Sequence, residues 1–177
     1  GLNKAEKYTE AKAFLVVASL FFYGYFQPSY ILIIVGSILF NYLCSCFLGR
    51  AQTNIRVKKL VLLFGILLNV GLIGYFKYLN FVLENFNVLF GCDFLIKNIL
   101  MPFGISFFTF QQISYLVDSY RMETKGYRFI DYALYITFFP QLVAGPIVLH
   151  DEMLPQFADK EGKSLSQSML ANGIYLF

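Results

Sequence analysis

The length of the apolar runs is the feature that most constrains how this chain can fold. Five segments, residues 14–26, 30–48, 60–77, 104–120 and 129–148, are dominated by aliphatic and aromatic side chains. Hydrophobic residues make up 58% of the 177-residue sequence and charged residues only 14%, whereas a soluble domain carries about 25% charge. A membrane-spanning helix needs about 20 mainly apolar residues, and residues 30–48 come close to that length. The runs predict an all-α fold, a multi-pass transmembrane helical bundle, and argue against a large soluble core.

Proline, glycine and length limits predict that some of these helices are kinked or broken. Gln27-Pro28 separates the first two runs, because proline ends or kinks a helix. A straight helix over residues 60–90 would be about 46 Å long, which exceeds the hydrocarbon core, so a bend is expected at Gly71 or Gly74. Within residues 78–90 the polar side chains form one stripe, which is typical of a helix lying along the outer leaflet. The members of this stripe are Asn80, Glu84 and Asn87.

The distribution of basic residues predicts the orientation in the membrane. Residues 49–59 contain two arginines and two lysines and no acid, and Lys12 precedes the first run, so both places are expected on the cytoplasmic side. The net charge is only +3, which gives no indication of nucleic-acid binding. Pro140, Gly145 and Pro146 interrupt the last run and predict a broken or re-entrant element. The polar loop 149–168 lies outside if residues 129–148 are a simple crossing, and inside if they re-enter; its charges do not decide between the two.

The cysteines give no sign of a disulfide framework or a metal site. Cys44 and Cys46 are two residues apart in an apolar run, so as helical residues they face different directions, and Cys92 stands alone. With one histidine in the chain, no zinc site is expected, and the thiols are interpreted as small buried hydrophobic groups.

The stretch FGISFFTFQQISYLVDSYR, residues 103–121, combines an apolar surface with a polar ridge. On a helix, four of its polar side chains fall within one wedge, while Gln112 and Ser119 share another face near Thr109. Asp118 and Arg121 are close enough in sequence to pair. Polar groups at membrane depth usually face the interior of a bundle, so the ridge either joins helices or lines a substrate path. The candidate tunnel residues are Gln111, Gln112, Ser114, Asp118 and Arg121.

Two further polar residues carry candidate roles. Asn69 lies near the middle of the third run and is interpreted as a group that hydrogen-bonds between helices. His150 is flanked by Asp151 and Glu152. Histidine can act as a general base near neutral pH, but this local pattern favours a solvated surface residue.

Two long signatures give the chain a resemblance to a known family. MPFGISFFTFQQISYLVDSYR and DYALYITFFPQLVAGPIVLHDEMLPQF resemble the membrane-bound O-acyltransferase family, and within it the bacterial alginate O-acetyltransferase branch. The earlier stretches ASLFFYGYFQPSYILIIVGSILFNY and NVGLIGYFKYLNFVLENFN resemble the same branch, so the likeness covers nearly the whole chain.

The resemblance implies a multi-pass protein of the bacterial inner membrane that moves an acyl group, expected to be acetyl, onto an extracytoplasmic polysaccharide such as alginate. No bound cofactor is implied; the acyl donor, acetyl-CoA or an acyl-carrier thioester, is a substrate. The family's catalytic histidine is expected in a later helix beyond Phe177, so His150 is the catalytic candidate within this chain. Implied partners are the lipid bilayer, a periplasmic acetyltransferase and polysaccharide-export machinery.

Residues 1–177 are therefore expected to be one transmembrane unit of a partial fold, with a first membrane segment missing and the next helix starting near residue 169. Two other functions stay open at this stage. One is a part of a transporter or channel, since broken helices and midplane polar groups occur there too, although the chain shows no internal symmetry. The other is a non-catalytic scaffold for a partner acyltransferase.

Overall fold

A computed structural model describes residues 8–26, 28–50, 54–92, 101–102, 104–124, 126–138 and 148–158. Over these residues the secondary structure is helical and contains no strand, which confirms the all-α fold class. The helices are α1 Tyr8–Phe26, α2 Ser29–Leu48, α3 Ile55–Ile73, α4 Leu79–Phe90, α5 Ile105–Tyr120, α6 Phe129–Thr137 and α7 His150–Ala158. A π-helical turn, Gly74–Tyr78, joins α3 to α4.

Two helical stretches in the described part are long and apolar enough to cross a membrane. They are Ser29–Leu48 and the continuous stretch Ile55–Phe90. Their exposed side chains are largely leucine, valine and phenylalanine, the surface that hydrocarbon would cover. This agrees with the predicted membrane helical bundle.

The first two helices contact each other and are joined by a short turn. Pro28 begins the turn between them, and its carbonyl oxygen accepts a hydrogen bond from the Ile31 amide at 3.1 Å. The helix α1 begins at Tyr8 and has 19 residues, so it is longer than the apolar run 14–26 from which it was predicted. Its polar first turns include Lys12, which pairs with Asp131 of α6.

A π-helical turn lies at one of the two glycines at which a bend was predicted, and the bend itself stays a prediction. Asn54 caps α3 by accepting a hydrogen bond from the Arg56 amide at 3.0 Å, and the π-helical turn begins at Gly74. Such turns insert an extra residue into an α-helix. Gly71 and Gly74 face open space, so they do not support close helix packing. The position of α4 along a lipid leaflet stays a prediction.

The helix α5 lies at the centre of the described bundle, packed against α2, α3 and α6. The contact with α3 is close because Gly65 has no side chain. A Cβ atom at that position would stand 2.9 Å from Leu116 Cδ1. Small residues allow this approach between membrane helices. The apolar core around α5 is built from Ile34, Ile38, Phe108, Tyr115, Tyr132, Leu134 and Tyr135.

Helix ends that carry basic residues lie together at one end of the bundle. The end of α2 meets the start of α6, where the Tyr42 hydroxyl donates to the Tyr127 carbonyl oxygen at 3.3 Å. The start of α3 meets the end of α5, where Lys58 Nζ lies 3.6 Å from Met122 Sδ. Lys58 is buried on α3 and is not part of an open loop. We call this the basic end of the bundle.

The segment predicted as 129–148 is an α-helix over Phe129–Thr137 in the described part. Nine residues rise about 14 Å, less than half the hydrocarbon core. Val148 then lies beside this same helix, since its carbonyl oxygen accepts a hydrogen bond from the Tyr135 hydroxyl at 3.1 Å. Whether residues 138–148 re-enter or complete a crossing stays a prediction, because residues 139–147 lie outside the described part.

Several sequence-based predictions lie outside the described residues. They are the N-terminal residues before Tyr8, the interruption at 140–146, the remainder of the polar loop at 159–168 and the helix expected near residue 169. The prediction that residues 1–177 form a single unit stays a prediction.

Candidate functional site

The first polar region joins α2, α3 and α5 through side-chain amides. We call its four residues, Ser37, Asn41, Asn69 and Gln112, the amide network. Asn41 Nδ2 donates to Gln112 Oε1 at 2.9 Å, and Ser37 Oγ donates to the same oxygen at 2.6 Å. Asn69 Nδ2 donates to Asn41 Oδ1 at 2.7 Å and also to the Gly65 carbonyl oxygen at 2.8 Å. The prediction that Asn69 hydrogen-bonds between helices is confirmed.

The second polar region lies on another face of α5, toward α6 and α7. We call its residues, Gln111, Asp118, Tyr132 and His150, the imidazole cluster. Tyr115 connects them: its ring centroid lies 4.6 Å from that of Tyr132 and 5.2 Å from that of His150. Gln111 and Asp118 stand about one helical turn on either side of Tyr115, on the same face.

His150 is a buried residue at the start of a helix. Its exposed fraction is 5%, and the rings of Tyr115 and Tyr127 meet it edge-on at centroid distances of 5.2 and 6.0 Å. The expectation of a solvated surface histidine is therefore wrong. The reason is tertiary: α7 turns this side chain into the bundle, while Asp151 and Glu152 remain exposed.

Asp118 faces His150 and not Arg121. His150 Nδ1 lies 3.3 Å from Asp118 Oδ2, and the Ser114 hydroxyl lies 3.4 Å from the same oxygen. Arg121 is exposed, and the structure gives no ion pair between it and Asp118 within the described residues, so the predicted i, i+3 pair is wrong. The approach of Nδ1 is close enough for an ion pair but misses hydrogen-bond alignment, since Nδ1 is also a buried atom without a hydrogen-bond partner. We treat it as an electrostatic contact.

Tyr127 lies beside the imidazole cluster at the basic end of the bundle. Burial, followed by the nearby carboxylates of Asp151 and Asp131, raises the pKa of the Tyr127 phenol above its ordinary value. Burial and the neighbouring carboxylates both disfavour the negatively charged phenolate. The phenol therefore stays neutral at physiological pH, and the groups facing the imidazole there are neutral rings and the Asp118 carboxylate.

Several buried polar atoms around α5 have no hydrogen-bond partner in the described structure. They are Thr109 Oγ1, both amide atoms of Gln111, Gln112 Nε2, the Tyr132 hydroxyl oxygen and His150 Nδ1. Leaving a buried polar group unpaired costs about 1–3 kcal/mol. Gln111 is only 1% exposed, and both the oxygen and the nitrogen of its side-chain amide lack a partner. In native proteins such groups indicate water, a ligand or a functional role.

The predicted tunnel residues divide between these environments. Gln111 and Gln112 are buried on separate faces of α5, Ser114 and Asp118 are partly buried, and Arg121 is exposed. The separate face predicted for Gln112 is confirmed, whereas Arg121 of the predicted inward ridge is exposed. Whether these residues line a substrate path stays a prediction.

Three participants were not singled out from the sequence: Ser37, Asn41 and Tyr132. Ser37 and Asn41 stand four residues apart within an apolar run, so they share one helix face, and this signal could have indicated a polar contact. Tyr132 gives no comparable signal, because tyrosine is common throughout this chain.

The thiols are free, and their burial differs from expectation. Cys44 and Cys92 are partly buried and Cys46 is exposed, so the interpretation as buried thiols is wrong. Within the described ranges, no group of three or more metal-binding side chains lies together.

Comparison with known proteins places this site in a family. The model of the MBOAT, membrane-bound O-acyltransferase family, matches residues 67–177, a range that includes all of α5, α6 and α7. The chain belongs to the membrane-bound O-acyltransferase family. Every residue of the imidazole cluster lies within the matched range, whereas Ser37 and Asn41 precede it.

Two bacterial proteins are similar to this chain over most of its length. The chain is 41% identical over 191 aligned positions to the peptidoglycan O-acetyltransferase of Helicobacter pylori, covering 94% of this chain and 36% of that protein. It is 36% identical over 148 positions to the probable alginate O-acetylase AlgI of Pseudomonas aeruginosa, covering 81% of this chain and 28% of that protein. The chain thus spans about a third of the length of these relatives. No solved structure matches it.

Proposed function

We propose that this chain is part of an enzyme of the bacterial inner membrane that transfers an acetyl group to a hydroxyl of an extracytoplasmic polysaccharide. The observation that carries the proposal is the family match over residues 67–177. It is supported by the similarity to a protein named for peptidoglycan O-acetylation and to others named for probable alginate O-acetylation. The membrane-compatible helices α2 and α3–α4 are consistent with a multi-pass position.

The reaction needs a path for a proton as well as for an acyl group. The acceptor hydroxyl oxygen attacks the carbonyl carbon of an acyl thioester, the carbon–sulfur bond breaks, and the hydroxyl proton ends on the released thiol. Histidine is suited to exchange protons in such a step. In this chain, His150 is the candidate proton carrier, and Gln111 and Ser114 are candidates for contacts along the substrate path. The donor is acetyl-CoA or an acyl-carrier thioester, acting as a substrate.

The acceptor in the proposal is a polysaccharide outside the cytoplasm. The relative with 41% identity over 94% of this chain carries peptidoglycan in its name, and the relative with 36% identity carries alginate. Peptidoglycan is therefore the first acceptor to test, with alginate as the second. A periplasmic acetyltransferase and polysaccharide-export machinery are proposed partners, since the acetyl group must reach a polymer beyond the membrane.

The test uses membranes from a strain that expresses the protein carrying this chain and from its deletion strain. Both receive acetyl-CoA labelled in the acetyl group, with peptidoglycan or alginate as acceptor, and ester-linked label on the polymer is counted. We expect label that depends on the protein and is released by mild alkali. Membranes that take up label or polymer without forming an ester would support a transporter instead. Absence of ester with either acceptor, in membranes verified to contain the protein, would contradict the proposal.

A further inference from the structure

The contacts at the basic end place the imidazole cluster on a definite side of the bundle. His150 contacts Tyr127, Tyr127 accepts a hydrogen bond from Tyr42 of α2, and the following loop leads to the basic start of α3. Basic residues mark the cytoplasmic side of membrane proteins. The residues that gather at this end are Lys12, Arg50, Arg56, Lys58, Lys59, Arg121 and Arg128. His150 therefore lies toward the cytoplasm, which is where thioesters of coenzyme A and carrier proteins are made.

The contact between Asp118 and His150 places a carboxylate opposite one nitrogen of the imidazole. Asp118 Oδ2 faces one ring nitrogen, Nδ1, at 3.3 Å, and its side chain is only 18% exposed. The partner of one ring nitrogen determines which nitrogen carries the proton. A carboxylate opposite Nδ1 favours the proton on that atom and leaves Nε2 for exchange with a reacting group. Within the described residues, Nδ1 is a fully buried atom without a hydrogen bond, and Nε2 is not in that set.

The side chains around the imidazole favour contact with one part of a thioester donor over another. Its neighbours are the Tyr115 and Tyr127 rings and the Asp118 carboxylate. A carboxylate repels phosphate groups, whereas aromatic rings accept the uncharged acyl and thiol end of a donor. The cluster is thus suited to the sulfur end of the donor and not to its anionic part.

We propose that His150, positioned by Asp118, donates a proton from Nε2 to the thiolate that leaves the acyl donor. This role rests on the proposed function, in which an acceptor hydroxyl attacks the thioester. In the imidazolium form both ring nitrogens carry a proton. As the carbon–sulfur bond breaks, its electron pair goes to sulfur and the Nε2 proton moves to that sulfur, which leaves the neutral imidazole with its proton on Nδ1. The proton that the acceptor hydroxyl releases returns to Nε2 through water, so no proton is gained or lost over the cycle. In this scheme His150 is a catalytic residue, and Asp118 is a positioning residue that acts through it.

The test varies the leaving thiol. His150→Gln and the wild type are assayed in membranes with two acetyl donors, one an ordinary alkyl thioester and the other the thioester of an electron-poor aryl thiol. The aryl thiolate is stable without a proton. We expect the substitution to lower transfer from the alkyl donor by about 100-fold or more, and transfer from the aryl donor by far less, because its thiolate needs no proton. A merely structural role of His150 would lower both to the same extent.

Asp118→Asn provides the test of positioning, and Asp151→Asn is its matched control. Each substitution removes one carboxylate. The Asp118 carboxylate lies beside His150 in space, whereas that of Asp151 belongs to the next residue in the sequence and is exposed. We expect Asp118→Asn to show the same dependence on the leaving thiol with a smaller loss, Asp118→Glu to recover part of it, and Asp151→Asn to match the wild type. Equal losses of Asp118→Asn with both donors would overturn the positioning role.

A spectroscopic measurement tests the pair without activity. Nitrogen-15 histidine spectra are recorded of the protein that carries this chain, in lipid nanodiscs, and the signals of His150 are those that disappear in His150→Gln. We expect the Nδ1–H tautomer in the wild type and a mixture of tautomers in Asp118→Asn. The same tautomer in the wild type and in Asp118→Asn would overturn the positioning by Asp118.

The outcomes separate this role from the proposed function. A wild type that transfers acetyl from neither donor overturns the proposed function and this role with it. A wild type that transfers from both donors, combined with a His150→Gln protein that is unaffected or equally impaired with both, overturns this role alone. If His150→Gln does not accumulate, His150→Asn is assayed under the same criteria.

Discussion

Two polar regions lie on different faces of α5, and they differ in how their hydrogen bonds are met. In the amide network, Asn41 donates to Gln112 at 2.9 Å and accepts from Asn69 at 2.7 Å, so three helices share one set of bonds, and Gln112 Nε2 is its one buried atom without a partner among the described residues. In the imidazole cluster, both amide atoms of Gln111, the Tyr132 hydroxyl and His150 Nδ1 are buried without such partners. Gln111 and Tyr132 are as deeply buried as Asn41 and Gln112, so burial alone does not explain the difference.

The difference separates a role in assembly from a role in chemistry. A buried polar network whose bonds are satisfied fixes how helices associate. Buried groups that stay unpaired lower stability and persist where the protein uses them for another purpose. We therefore expect substitutions in the amide network to change stability first, and substitutions in the imidazole cluster to change activity first.

The largest effect on stability is expected from Asn41→Leu. The change removes bonds to α3 and α5 and leaves Asn69 and Gln112 partly unpaired. Hydrogen bonds between membrane helices contribute about 0.6 kcal/mol on average and up to about 1.7, and an unpaired buried group adds about 1–3. The free energy of unfolding should fall by about 2–4 kcal/mol in an SDS titration from mixed micelles.

Ser45→Ala is the control for that experiment. Ser45 is also a buried polar residue of α2, but its hydroxyl donates within its own helix, to the Tyr42 carbonyl oxygen at 2.7 Å. Its loss should cost less than about 1 kcal/mol, because no other helix loses a partner. Similar losses for Asn41→Leu and Ser45→Ala would show that the network does not hold the helices together.

A smaller effect is expected from Gly65→Ala, with Gly71→Ala as its matched partner on the same helix. A Cβ atom at Gly65 would meet Leu116 Cδ1 at 2.9 Å, and Leu116 is fully buried, so α3 must move away from α5 or Leu116 must leave its rotamer. We expect a loss of about 1–2 kcal/mol from overpacking. At Gly71 a Cβ atom meets nothing within 4 Å, so alanine should be neutral or stabilise by up to about 1 kcal/mol. The same SDS titration measures both; equal effects would contradict the close contact.

Features that depend on local sequence were predictable. The apolar run 30–48 predicted α2 almost to its ends, Pro28 predicted the turn before it, and a lone asparagine in an apolar run predicted the contact of Asn69. Each of these depends on the chain's immediate neighbours or on the solvent around it. Membrane surroundings strengthen such signals, because every polar group within an apolar run requires an explanation.

Features that depend on distant contacts were not predictable. Spacing placed Arg121 beside Asp118, but the fold brings His150 to that carboxylate, and sequence spacing gives no measure of which contact is better. The acidic neighbours of His150 indicated solvent, yet a helix start directs one side chain inward while the next two stay outside. The candidate site joins α5 to α7, so it can be recognised only when the packing of α7 against α6 is known.

The smallest effect on stability is expected from Gln111→Leu. Leucine fills nearly the same space and removes two buried polar atoms that lack partners, so the free energy of unfolding should stay the same or rise by about 1 kcal/mol. If Gln111 contacts substrate as proposed, acetyl transfer at matched membrane levels should still fall by at least about tenfold. The neighbouring Gln112→Leu makes the same chemical change on the other face, where Ser37 and Asn41 donate to the amide oxygen, and should destabilise the protein. Opposite changes in stability at two adjacent glutamines would show that the two faces of α5 have different roles, whereas a stable Gln111→Leu protein with full activity would remove Gln111 from the site.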